Sequence, residues 1–288
     1  MSTDGERPVD AVVVNFNAAV HLGPCIESLL HEPVARILVV DNDSRDTSES
    51  VVAQLAARDR RVEWHPTGHN LGFGSGANRG MAASSAPFVL LLNPDTVIGR
   101  GTVDILRSTL QADGQLGVVG PEVTGFDGIA YPSARSFPNL FDAMAHGALG
   151  FVAPKNRWSA RYRNPDRIDW VSGTAMMLRK TAVEVVGGFD ESYFMYVEDV
   201  DLCWRLSGAG WGTGFEPTAT VRHHIGGSSE QVPYRMIAAH HRSLWRFARA
   251  TTTGWRRAAL PLIAVGLLAR MVVAATVRRI RHKPPAAQ

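Results

Sequence analysis

Three short, unbroken apolar runs constrain this chain more than any other feature: AVVV at 11–14, ILVV at 37–40 and FVLLL at 88–92. Runs of this length with no polar residue are the mark of strands buried on both faces. Amphipathic stretches over roughly 20–30 and 46–58 lie between them, so strand and helix alternate. That rhythm predicts an α/β domain with a mostly parallel sheet and flanking helices. Each run also ends in polar residues: Asn15 and Asn17, then Asp41, Asn42 and Asp43, then Asn93 and Asp95. Ligands of open α/β sheets bind beyond the carboxyl ends of the strands. Three polar strand ends therefore point to one crevice.

Further along, Pro, Arg, Asn and aromatic residues crowd the stretch from about 122 to 168, which reads as long loops with short elements. Regular patterning resumes at DWVSGTAMMLRK (169–180), a strand, followed by a short helix to Val186. GGFD (187–190) is a turn, 198–207 a helix, and WGTGFEPTATVRHH (211–224) a turn with a returning strand. The chain shows no internal repeat.

Two ligand classes are excluded by missing fingerprints. A dinucleotide-binding oxidoreductase needs G-x-G-x-x-G directly after its first strand, and the first strand here runs into NFNAAVHLG. The glycine-rich NLGFGSGANRG (70–80) has a different spacing. No G-x-x-x-x-G-K-[ST] occurs, which argues against a nucleoside triphosphatase. The two cysteines, Cys25 and Cys203, fit no metal or disulfide pattern, and MSTDGERPVD at the start is too polar for a secretory signal. A reducing cytoplasm is the expectation.

The stretch MYVEDVDLCWRL (195–206) packs Glu198, Asp199 and Asp201 into four positions. Acidic residues in the first turn of a helix gain roughly 0.3–1 kcal/mol each from its dipole. Asp201 also stands four residues before Arg205, a pairing worth roughly 0.2–0.5 kcal/mol. Those effects account for Asp201. They do not account for Glu198 and Asp199 side by side, behind the aromatic residues Tyr193, Phe194 and Tyr196.

VVVNFN, VVDNDSRD, NLGFGSGANRG, LLNPDT, GGFDESYFMYVEDVDLCWRL and HHIGGSS follow one another in that order across residues 11–229. Together they resemble the GT-A family of inverting nucleotide-sugar glycosyltransferases. YPSAR (131–135), VSGTAMMLRK and the basic, Trp-containing tail are similar to a narrower group within it. These are actinobacterial rhamnosyltransferases that extend a polyprenyl-diphosphate-linked N-acetylglucosamine during cell-wall linker synthesis.

The resemblance implies a role for each motif. Asp41 would accept the N3–H of a uracil or thymine ring, with Asn15 supporting the same nucleotide. In isolation, Asp41 would read as a turn residue bonding its own backbone. Asp95 stands where relatives often carry a D-x-D pair on a divalent cation, Mg2+ or Mn2+; Asn93 replaces the first Asp, leaving one anionic ligand. His224 is the candidate histidine ligand, with His223 as the alternative. Asn78 would lie near the donor sugar and diphosphate, although the surrounding glycines equally suit a helix packed closely on the sheet. Asp199 would be the general base that deprotonates the acceptor hydroxyl, with Glu198 orienting the site. Apart from the resemblance, Arg135 in YPSAR and the Arg-rich stretch 157–167 could meet the acceptor's diphosphate, the alternative being a solvated charged loop. The implied reaction uses dTDP-L-rhamnose and inverts the anomeric centre.

Charge divides the chain near residue 235. From Met236 onward there are ten Lys or Arg and no acidic residue, whereas the first 235 residues carry 20 basic and 27 acidic groups. A catalytic domain over 1–235 and a basic, apolar tail over 236–288 is the expected division. Ala258–Val277 holds one charge, Arg270. Its 20 residues are long enough to span a bilayer, but a central Arg costs about 2.5–3.5 kcal/mol on insertion scales. On one continuous helix, Arg256, Arg270 and Arg281 would share a face opposite Leu, Ile and Val. Such a helix lies in an anionic membrane surface. The tail's apolar content favours lipid over nucleic acid, so the expectation is peripheral attachment to the cytoplasmic face of the membrane, with a helix packed on the domain as the alternative.

Overall fold

The computed structural model describes residues 9–137, 168–224 and 233–281. The Arg-rich stretch 157–167 and the IGGSS half of HHIGGSS lie outside the described residues.

The three apolar runs form β1 (Val9–Asn15), β2 (Ile37–Asp41) and β4 (Phe88–Leu92). β1 pairs in parallel with both neighbours, setting Asn15 opposite Asp41 and Val13 opposite Leu92. β3 (Val62–Pro66) adds a parallel edge strand to β2. Its sequence, VEWHP, is partly exposed, and Glu63 and His65 carry polar groups outward, so no continuous apolar run marks it. A two-point Arg36–Glu63 bond, both contacts at 2.6 Å, joins this edge to the start of β2.

Beyond β4 the sheet becomes mixed. The remaining strands are β5 (Thr96–Ile98), β6 (Leu116–Gly125), β7 (Ala130–Tyr131), β8 (Ala134–Arg135), β9 (Trp170–Val171), β10 (Ala175–Arg179) and β11 (Gly212–His223). The order is β3-β2-β1-β4-β10-β6-β11-β5, with β7 paired to β6 and a separate β8–β9 ribbon. The strand expected over 169–180 is thus two strands: β9 joins the ribbon, β10 runs antiparallel to β4, and Ser172–Gly173–Thr174 turns the chain between them.

Helices α1 (Ala19–Leu30), α2 (Ser48–Ala56), α3 (Phe73–Ala83), α4 (Thr102–Ala112), α5 (Lys180–Val185) and α6 (Glu198–Gly208) cover both faces. Side chains alternate across a strand, and β1 divides accordingly. Val9, Ala11 and Val13 share a cluster with Leu22, Ile26 and Leu29 of α1 and Leu106 of α4. Val12 and Val14 share the other with Ala77 and Met81 of α3 and Leu202 and Leu206 of α6. A Cβ at Gly76 would lie 2.8 Å from Val14 Cγ1, and one at Gly80 would overlap Val12. The glycines of NLGFGSGANRG therefore let α3 lie directly on β1.

The chain closes with α7 (Pro233–Thr251), a 3-10 turn (Gly254–Ala259) and α8 (Leu260–Arg281). The charge boundary near 235 does not coincide with a packing boundary, because Phe247 of α7 is buried with Tyr193, Val197 and Val200 of the preceding region. α8 lies against α7, and Pro261 occupies its first turn. Arg256 belongs to the 3-10 turn rather than to α8, so the helical rotation that would align it with Arg270 and Arg281 is interrupted.

Candidate active site

The carboxyl ends of β1 and β2 make one end of the site. Asp41 Oδ1 accepts hydrogen bonds from Asn15 Nδ2 at 2.8 Å and Ser44 Oγ at 2.5 Å, while Oδ2 accepts from the Ser44 amide at 2.9 Å. An ionised carboxylate has about four acceptor positions, so this one is fixed in place with capacity left for one more donor. Asn15 is 0% exposed and acts through Asp41 rather than facing the crevice. Ser44 also receives the Asn17 amide at 2.8 Å. Asn17 and Asp43 take positive φ, 49° and 65°, which short polar side chains tolerate. The loops after β1 and β2 are thereby tied together around Asp41. Ser44 was legible only as the third residue after Asp41, the spacing of a local side-chain turn.

Asp95 is buried, and its Oδ1 has no hydrogen-bond partner. His223 Nε2 stands 3.2 Å from Asp95 Oδ1, a close approach that lacks hydrogen-bond alignment. His223 is brought there by strand pairing: β11 runs antiparallel to β5, setting His223 opposite Thr96. His224 points elsewhere. Its ring stacks on Phe126 at 3.8 Å and stands 4.4 Å from His21, although its amide donates to the Asp95 carbonyl. The histidine beside Asp95 is therefore His223 rather than the expected His224. A buried, unpartnered carboxylate oxygen next to an imidazole suits a hard divalent cation. Among the described residues no group of three or more His, Cys, Asp or Glu could hold a metal, so other ligands would have to come from substrate and water.

Glu198 and Asp199 open α6, and Val197, the residue that caps it, has φ 72° after Tyr196 at φ 68°. A left-handed conformation costs an L-residue roughly 1–2 kcal/mol, and Val, being β-branched, is an uncommon choice for it. Asp199 Oδ2 accepts the Gly173 amide and Oδ1 the Val200 amide, both at 2.8 Å. Glu198 is buried, and its Oε2 has no partner. Burial, with the Asp199 charge adding to it, pushes the Glu198 carboxyl up to about 8. Burial also raises Asp199, but the backbone amides and the Arg135 charge oppose that rise. Burial thus raises both carboxyls, and the backbone amides and the Arg135 charge act on Asp199 in favour of its ionised form.

One turn connects the two sets of carboxylates. Gly173 gives its amide to Asp199, while the carbonyl of the next residue, Thr174, accepts the Asn93 amide at 3.0 Å, two residues before Asp95. Arg135 lies on β8, its Nε bonded to the Pro132 carbonyl at 2.9 Å and its guanidinium 5.7 Å from the Trp170 ring. Asp201 holds Arg205 at 2.7 Å, and Arg205 reaches the Val186 and Gly188 carbonyls, so this third carboxylate is structural as expected. Asn78 departs from expectation. Its amide donates to the Phe189 carbonyl and Glu191 Oε1 and accepts the Phe189 amide, clamping the GGFD turn onto α3. Those bonds occupy both N–H groups, so Asn78 shapes the site from behind.

The family model for glycosyl transferase family 2 matches residues 10–185. The chain belongs to that family. It is 36% identical to N-acetylglucosaminyl-diphospho-decaprenol L-rhamnosyltransferase of Mycobacterium tuberculosis, over 94% of this chain and 95% of that one. The resemblance to the actinobacterial rhamnosyltransferases is thus seen along the whole length. Rhamnosyltransferase WbbL of Escherichia coli is 26% identical over 74% of this chain and 81% of its own. Among solved structures, the mannosyltransferase PcManGT of Pyrobaculum calidifontis, in complex with GDP-Man and Mn2+, superposes with a TM-score of 0.64. It is 15% identical, over 96% of this chain and 76% of that one, which establishes the GT-A fold.

Proposed function

We propose that this glycosyltransferase moves L-rhamnose from dTDP-L-rhamnose to a polyprenyl-diphosphate-linked N-acetylglucosamine, with inversion. The observation that carries the reaction type is the Glu198–Asp199 pair at the start of α6, with Asp199 aligned by the Gly173 and Val200 amides. The acceptor is supported by the near full-length match to a relative named for that acceptor and sugar. In the proposed step, Asp199 takes the proton of an acceptor hydroxyl as its oxygen bonds to the anomeric carbon. The bond from that carbon to the phosphate oxygen breaks on the opposite side, and the nucleoside diphosphate leaves with the electron pair. Asp41 accepts the imide N–H of the pyrimidine. That edge suits thymine or uracil, whereas guanine presents a different pattern to a single carboxylate.

Asp95 and His223 would hold a divalent cation, Mg2+ or Mn2+, which neutralises charge on the leaving diphosphate. Arg135 is proposed to balance the acceptor's own diphosphate. Membrane attachment follows the tail: α8 presents Leu262, Val265, Leu268 and Val272 on one exposed face, and Trp255 beside Arg256 is 86% exposed. Gly254–Arg279 is long and apolar enough to cross a membrane, yet exposed Arg270 near its middle favours a helix lying at the cytoplasmic surface.

Two substitutions test the reading. Asp199→Asn should abolish transfer while calorimetry finds donor affinity within about threefold of normal, because the nucleotide end is untouched. Near-normal turnover would end the assignment. His223→Ala should weaken metal-dependent donor binding more than His224→Ala does, and chelator should weaken it in the native enzyme. Donor binding indifferent to chelator would exclude the cation.

A further inference from the structure

Helix α7 sits outside the reacting groups, yet it grips the segment that leads into them. Ser243 is buried, and its hydroxyl donates to the Met195 carbonyl at 2.9 Å. Phe247 packs with Tyr193, Val197 and Val200, and the His240 ring meets Tyr196 edge-on at 5.3 Å. Arg246 approaches Asp190 at 3.4 Å and lies over the Tyr193 ring at 5.4 Å. From the other side, the Phe73 amide of α3 donates to the Phe194 carbonyl at 3.2 Å. Residues 194 and 195 are therefore pinned from two directions, immediately before the two residues with positive φ, Tyr196 and Val197. The Val197 carbonyl then accepts the first bond of α6 from Asp201 at 2.8 Å, with Asp199 between them.

A β-branched residue keeps a left-handed conformation only where its surroundings over-determine it. Packing fixes the Val197 side chain, and α3 fixes the Phe194 carbonyl. The Met195 carbonyl is a second backbone anchor before the strained pair, and α7 supplies its partner. We propose that Ser243 is a positioning residue: its bond to Met195 holds Tyr196–Val197 in the left-handed region and so sets where Asp199 stands. This rests on Asp199 being the base. It also gives α7 a role in turnover, although the helix lies outside the reacting groups.

The test is a cycle of Ser243→Ala and Val197→Gly in the full chain, with Ser243→Thr as the conservative control. Turnover and amide hydrogen exchange at Gly173, whose N–H is donated to Asp199, are both measured. Ser243→Ala should lower kcat roughly ten- to a hundredfold, the scale of a small misplacement of a reacting group, with donor KM little changed. It should also speed exchange at Gly173, while Ser243→Thr keeps both readouts near normal. Glycine adopts the left-handed region without steric cost. In the Val197→Gly background, Ser243→Ala should therefore cost only about threefold or less, a coupling that the cycle isolates from the effect of Val197→Gly itself. Equal penalties in the two backgrounds, or unchanged Gly173 protection in Ser243→Ala, would overturn the proposal. If the Val197→Gly proteins do not fold, Gly173 exchange in Ser243→Ala against Ser243→Thr decides alone. Normal turnover by Asp199→Asn would instead remove the base assignment, with Gly173 exchange still deciding whether Ser243 sets the position of Asp199.

Discussion

Glu198 and Asp199 are neighbours on one helix, yet their surroundings separate their affinities for a proton. Asp199 receives two backbone amides and the field of Arg135, whereas Glu198 Oε2 is buried without a partner. A carboxyl raised from 4.5 to about 8 in the folded state binds a proton that the unfolded chain has already released. Its contribution to stability is complete below about 4.5 and is lost as pH rises through about 8. Glu198→Gln, neutral at every pH, should flatten that decline. Thermal melts of both proteins across this range check it, and parallel curves would contradict the raised value. Asp201 was legible in the sequence because its partner, Arg205, is one helical turn away. The approach of His223 to Asp95 was not, since the pairing of β11 with β5 joins segments far apart in the chain. The partners of Asn78, Phe189 and Glu191, were hidden for the same reason, since they lie beyond the reach of local pattern.

At the scale of elements, β1, β2 and β4 were readable from continuous apolar runs, and their shared carboxyl end followed from parallel pairing. The mixed half of the sheet was harder, because β9 and β10 interrupt one apolar stretch with a turn whose purpose is to meet Asp199 and Asn93. Charge composition placed a boundary near 235, but Phe247 and Ser243 tie α7 to the site. The separable element starts after α7. Deleting residues 255–288 should therefore leave the site braced while releasing the protein from anionic vesicles. Activity on a lipid-linked acceptor should fall more than activity on a short soluble analogue, and binding of the intact chain should weaken with salt. Equal vesicle retention by the shortened protein would contradict a surface role for α8.

For the whole molecule, the sheet and its helices bring the carboxylates of β2, of the β4–β5 turn and of α6 to one side of a family 2 fold. The proposed displacement gives each a part: Asp41 on the base, Asp95 and His223 at the diphosphate, Asp199 on the acceptor hydroxyl. The deciding measurement is a donor panel with polyprenyl-diphosphate-linked N-acetylglucosamine, its product analysed by mass and anomeric coupling. The account predicts that dTDP-L-rhamnose is consumed in preference to UDP-glucose, UDP-galactose, UDP-galactofuranose and GDP-mannose, and that a β-linked donor yields an α-rhamnoside. Preference for a hexose donor, or a β product, would contradict it.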